Sequence, residues 1–263
     1  MSSEQIIIFV VLPVAAYFLG SIPFAFVIGK AHGVDIRTVG SKNVGATNLG
    51  RALGIRYFWQ AFFLDGAKGF VPVLAAALLV RYFNQKGVYV TGQEWTPLDL
   101  FRARTLRPVM GVHQILLPNW TPLLSGAACI VGHLFPVWLK FKGGKGVATA
   151  FGVVLGFWPL YTLAGLGAGA FFVVMLMIYR YISLASMTSS VVFVLTVAWL
   201  GGWENPYVHT WLPVDTYLPW PQRWPLIVVA GLFSLLIIVR HRGNIVRLMK
   251  GTEPKVGMGR NSK

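Results

Sequence analysis

Seven apolar stretches punctuate this chain, at about Ile6 to Gly29, Tyr57 to Val80, Thr121 to Leu139, Lys145 to Trp158, Leu160 to Tyr179, Leu184 to Leu200 and Trp224 to Val239. A helix crosses the hydrocarbon core of a bilayer with roughly 20 such residues. Across the chain 56% of residues are hydrophobic and 12% charged, where a soluble domain carries about 25% charge. Such a surface cannot be dressed for water. The expectation is an all-α, polytopic integral membrane helical bundle of about seven transmembrane helices, forming a single membrane-embedded domain over residues 1–263. The fourth stretch is short and glycine-rich, and it fits least well.

The flanks of these stretches set an expected sidedness. Glu4 and no cation precedes the first, which therefore lacks the basic leader of a cleaved signal peptide; Lys30 follows it. That order puts the N-terminus outside and the next loop in the cytoplasm, where Lys and Arg accumulate. On this topology 16 of the 23 Lys and Arg fall inside, in Lys30 to Arg56, Lys140 to Lys145, Arg180 and the tail 240–263. The outer loops, 81–120 and 201–223, are rich in Trp, Tyr and Pro and are expected in the headgroup layer. In the first of them Thr96, followed by Pro97 and Asp99, reads as a helix cap. The net charge of +15 thus has two sources in a membrane protein, inner loops and anionic headgroups, and implies no nucleic acid. The single Cys129 lies in an apolar run and excludes a disulfide frame or a cysteine-cluster metal site.

Three inner segments concentrate the polar residues. The first, GSKNVGATNLGR from Gly40 to Arg51, combines glycines with Ser41, Lys42, Asn43, Thr47, Asn48 and Arg51. Glycine lets N–H groups turn inward, hydroxyls and amides donate, and Arg grips two phosphate oxygens at once. It is an anion cradle or, on composition alone, a turn-rich connector. The second, GHLFPVWLKFKGGKGVAT from Gly132 to Thr149, sets Lys145 between Gly144 and Gly146 at a helix entrance, where N–H groups and the positive dipole end suit phosphate. It is not a Walker A loop, because Gly146 stands where a Ser or Thr is needed. Lysines at this depth also snorkel without binding anything. The third, HRGNIVRLMKGTEPK from His241 to Lys255, follows the last stretch, a place where basic tails are common. The turn RYISLAS adds Ser183 and Ser186 at the same depth. Within the second stretch, Asp65 and Lys68 are spaced to neutralise each other; such a pair is functional or braces the site.

In this order and at these span ends, GATNLGR, FKGGKGVAT, RYISLAS and HRGNIVRL resemble the signature blocks of the acyl-phosphate-dependent glycerol-3-phosphate acyltransferases of bacteria, the PlsY family, over about Tyr17 to Lys255. The resemblance implies transfer of a fatty acyl group from acyl phosphate to the 1-hydroxyl of glycerol 3-phosphate, giving lysophosphatidic acid and phosphate, the first step of phospholipid biosynthesis. It implies a multi-pass protein of the inner membrane, surrounded by membrane lipids, with its active site on the cytoplasmic side. No metal, cofactor or obligatory protein partner is implied. Residue by residue, it puts the catalytic, phosphate-binding Ser and Arg at Ser41 and Arg51, supported by Asn43, Thr47 and Asn48. The phosphate loop falls on Gly143, Gly144, Lys145 and Gly146, with His133 upstream and Lys145 facing phosphate. His241 and Asn244 match the family's polar pair, Ser183 joins the substrate contacts, and Arg247 and Glu253 hold the tail together. Two departures stand out: Lys42 occupies a position where the family usually has Gly, and the loop 81–120 is longer than the norm.

The residues themselves favour a phosphate donor. Thioester-dependent acyltransferases commonly carry a His with an Asp five residues later, and none of His32, His113, His133, His209 and His241 does. Metal-dependent alcohol phosphotransferases need clustered carboxylates, and after Asp65 the next acid is Glu94. The competing class is a transporter of phosphorylated anions; such folds often show internal repeats and a midplane site, and no convincing repeat is visible here. The proton acceptor stays open between His241 and an oxygen of the donor phosphate.

Overall fold

The structure, a computed structural model, describes residues 3–85, 112–201 and 220–256. The cap expected at Thr96 and most of both outer loops lie outside them. Among the described residues all regular structure is helical. Helix α1 joins Ser3–Ile6, a π-helical turn at Ile7–Val11 and Leu12–Ser21. It is followed by α2 (Phe24–Ala31), α3 (Ala46–Leu53), α4 (Ile55–Gln85), α5 (Val112–Leu134) and α6 (Val147–Gly156). Then come α7 (Leu160–Tyr179), α8 (Ile182–Leu200), α9 (Trp220–Arg240) and α10 (Arg242–Met249).

Six segments are long and apolar enough to cross a membrane: Ser3–Ala31, Ile55–Val80, Trp120–Leu139, Leu160–Tyr179, Ile182–Leu200 and Arg223–Arg240. They coincide with six of the seven expected stretches. The remaining one, Lys145 to Trp158, gives only the ten residues of α6, about 15 Å of helix against a core of about 30 Å. Gly146, at φ 83°, stands outside the helix, and Pro159 lies just past its end. Hydropathy counted both flanks; the backbone does not. The first stretch is also interrupted, at Ile22–Pro23. Proline brings no N–H and forces Ile22 into an extended conformation (ψ 114°).

The chain forms two compact units, Met1–Phe157 and Trp158–Lys263. In the first, α1 runs antiparallel to α4, because Ile8 packs on Val80 while Lys68 Nζ donates to Ile22 O. α5 is likewise antiparallel to α4, pairing Gly126 with Val73 and His133 with Asp65. α6 runs with α4, Gly152 lying so close to the main chain of Gly66 that a Cβ would overlap its carbonyl. Small residues permit this backbone approach where lipid offers no hydrophobic drive. The loop before α4 and the loop between α5 and α6 therefore share one end of the unit. Leu139 of the second loop seals them by packing with Ala25, Ile36, Val44, Leu49 and Ala61.

In the second unit, Tyr161 stacks edge-on to Phe193 at 5.2 Å and donates to Leu226 O at 2.5 Å. Ser190 and Ser234 hydroxyls meet at 3.0 Å, and Arg223 donates to Gly201 O. These pairings make α7, α8 and α9 successively antiparallel. The end of α7, the start of α8, the end of α9 and all of α10 gather at one end of this unit.

Candidate functional site

The first segment is shaped by Asn48, a fully buried residue in the first turn of α3. Its Nδ2 donates to Ile36 O at 2.7 Å and Val39 O at 3.2 Å, and its Oδ1 accepts from Ser41 N at 2.9 Å. Asn48, expected as a substrate donor, thus holds the loop's main chain. Gly40 (φ 57°) crosses directly over Asn48 Oδ1, where any Cβ would collide. Lys42 adopts φ 58°, so the departure noted above falls at a left-handed position, which costs a residue with a Cβ about 1–2 kcal/mol. Ser41 and Arg51 are exposed, and Asn43 and Thr47 half-buried. Thr47 and Arg51 are four apart on α3 and share a face. The loop's entrance is pinned at Asp35, whose carboxylate accepts from Arg37 Nε at 3.0 Å and NH2 at 2.7 Å and pairs with Lys30 at 3.1 Å. The Arg37 hydrogen bond holds that carboxyl well below the usual range.

The second segment turns through Val137–Leu139 and two left-handed residues, Lys140 and Phe141. Gly143 N then donates to Leu134 O and Gly144 N to His133 O, each at 3.2 Å. These two glycine N–H groups satisfy carbonyls left over at the end of α5. Two of the expected phosphate donors are therefore engaged within the fold. What the loop presents is half-buried Lys145 and the start of α6, where Gly146 is the N-cap and no side chain caps the helix. First-turn N–H groups have no intrahelical partner and carry the positive dipole end. His133, expected among the substrate contacts, is buried with its ring against Gly144.

In the second unit the polar residues converge on Glu253. Its carboxylate accepts from Ser183 Oγ at 2.7 Å, Asn244 Nδ2 at 2.6 Å and Arg247 Nε at 2.8 Å. Burial pushes this carboxyl up, and the three donors together outweigh it and hold it below its ordinary value. The expected tail-holding pair of Arg247 and Glu253 is present, and it also engages Ser183 and Asn244. His241 is buried and donates from Nδ1 to Ile237 O at 2.8 Å, which makes Nε2 the basic nitrogen of the neutral ring. One further contact was not expected: Arg180, left-handed at the end of α7, donates to Val256 O from Nε and NH2, and its carbonyl accepts from Val256 N. A cation at a helix C-terminus was its only signal. Among the described residues no three His, Cys, Asp or Glu side chains form a metal-holding group.

The family model for glycerol-3-phosphate acyltransferase matches residues 10–251. Curated relatives include the glycerol-3-phosphate acyltransferases of Geotalea daltonii, 35% identical over 93% of this chain and 95% of its own length, and of Aquifex aeolicus, 37% identical over 92% and 96%. Two solved structures are similar, both crystal structures of PlsY (YgiH), an integral membrane glycerol 3-phosphate acyltransferase. The glycerol 3-phosphate form gives a TM-score of 0.66 at 35% identity, and the lysophosphatidic acid form 0.63 at 34%, each covering 94% of both chains.

Proposed function

The chain belongs to the glycerol-3-phosphate acyltransferase family, and from that membership we propose that Ser41, Arg51 and Lys145 centre a site whose acyl donor is a fatty acyl phosphate. The protein is an integral membrane enzyme that acylates glycerol 3-phosphate to lysophosphatidic acid. The observation that supports the donor assignment is that the loop carrying Ser41 and the loop before α6 pack together through Leu139 at one end of the first unit, with Lys145 next to a start of α6 that no side chain caps. Two such features suit a reaction in which both substrates carry phosphate.

Acyl phosphate is already activated. The 1-hydroxyl of glycerol 3-phosphate attacks the acyl carbonyl, a new C–O ester bond forms, and the acyl–phosphate C–O bond breaks with its electron pair leaving on phosphate. Arg51, Lys145 and the α6 N-terminus stabilise the charge that develops. The proton of the attacking hydroxyl passes to an oxygen of the donor phosphate, with His241 Nε2 as the alternative acceptor. Asn43 and Thr47 assist as donors, while Asn48 and the three glycines shape the loops. His241, Asn244 and Ser183 are assigned to substrate handling from family membership. The protein lies in the inner membrane, with the site and the tail after α9 on the cytoplasmic side.

Purified protein in bilayers is expected to release phosphate from palmitoyl phosphate only when glycerol 3-phosphate is present. Acylation from palmitoyl-CoA with none from palmitoyl phosphate would overturn the donor assignment.

A further inference from the structure

Behind the glycine loop lies a buried charged chain that the acyl-transfer chemistry does not use. Asp65, Lys68 and His133 are 3%, 3% and 7% exposed. Lys68 Nζ lies 2.8 Å from Asp65 Oδ1 and donates to Ile22 O at 2.7 Å, closing the carbonyl end of α1 at the proline break. The ring of Phe24 lies 5.5 Å from the same ammonium, and Cys129 Sγ donates to Lys68 O. His133 turns Nδ1 toward the same Asp65 oxygen at 3.7 Å, beyond hydrogen-bond length. The far edge of its ring meets Gly144 so closely that a Cβ there would overlap Nε2. Since Gly144 N also donates to His133 O, one residue grips Gly144 by ring and by main chain, next door to Lys145.

We propose that His133 is a positioning residue for Lys145, braced from behind by the Asp65–Lys68 pair. One buried ion pair then does two things: it closes the break between α1 and α2, and it sets the depth of the loop that faces phosphate. Gly143 N on Leu134 O and Leu139 in its packed cluster hold the earlier part of the loop, whereas at Gly144, a residue type with the widest conformational choice, the ring of His133 is the nearest side chain. A displacement of about 1 Å at a charge-stabilising group costs up to about 10²-fold in rate. The inference rests on the reading of Lys145 as a phosphate-holding group.

The test is a double-mutant cycle read as kcat and KM for both substrates, with melting curves to correct for folded fraction. His133→Ala is expected to lower kcat/KM by about 10- to 10²-fold. Gly144→Ala is expected to lose as much or more, because its Cβ collides with the ring. The pair His133→Ala with Gly144→Ala is expected to recover part of the Gly144→Ala loss, since the collision partner is gone. Losses that multiply, or full activity in His133→Ala, overturn the proposal. Asp65→Asn leaves Lys68 unpaired and endangers folding, so the neutral pair Asp65→Asn with Lys68→Met is made as well. It is expected to lower kcat/KM, with His133→Ala adding little on top; independent losses would remove Asp65 and Lys68 from the chain of action. Lys145→Gln separates the two ideas: full activity there defeats the reading of Lys145, whereas an inactive Lys145→Gln beside a fully active His133→Ala defeats only the positioning role.

Discussion

The loop ends of the two units are built by different means. In the first unit the main chain does the work: glycine N–H groups close α5, left-handed residues turn the loops, and Asn48 ties three backbone groups together. In the second, side chains converge on a carboxylate, with Ser183, Asn244 and Arg247 on Glu253. A loop held by main-chain hydrogen bonds is intolerant of added Cβ atoms, and those bonds themselves do not titrate. A side-chain-built end is the reverse, since its geometry depends on one group staying ionised.

The largest expected effect lies in the first unit. Lys145→Met should lower kcat by about 10²–10³-fold while the melting temperature stays put; an equal fall in stability would blur the contrast. Glu253→Gln should act the other way round, lowering unfolding free energy by about 1–3 kcal/mol because buried donors lose a charged acceptor. Denaturant unfolding reads that loss. Next comes Lys42→Gly, which relieves the left-handed strain and should raise stability by about 1 kcal/mol, with Lys42→Ala giving no gain.

The smallest effect is the pH dependence of the second unit's tail. The folded carboxyl of Glu253 titrates below its unfolded value. Its contribution is therefore fully present above the unfolded value of about 4.3 and is lost as pH falls through the lower, folded one. Proteolysis at Lys250 and Lys255 should quicken only in that acid window, and cleavage already rapid at neutral pH would refute the tail's dependence on Glu253.

How much of this was legible in the sequence follows from what each signal measures. Hydropathy located Leu160–Tyr179 to the residue, because burial in lipid is a property of composition over a window. It overextended α6 and ran through Ile22–Pro23, because it does not register where a backbone can continue a helix or lacks an N–H. The glycine-rich segments were visible, and so was their concentration at span ends. What escaped was the choice of partner. Asn48, Gly143 and Gly144 carry donors suited to phosphate, yet carbonyls from α5 and from residues 36 and 39 claim them, and those carbonyls come near only when the chain is folded. Lys42 was the exception: a single residue against a glycine expectation correctly marked a left-handed position.

A protein in lipid is also subject to the thickness of its host. Each of the six long segments must match the hydrocarbon layer and tilts when that layer thins or swells. Helix α6 is under no such demand. Its Thr149 and Gly152 lie main chain to main chain against Gly69 and Gly66 of α4, with no side chain between them to repack at those two points, so its start rides with α4 as the frame leans. Adaptation to a different membrane can then proceed by substitutions on the outward faces of the long helices, without moving the short one that follows Lys145.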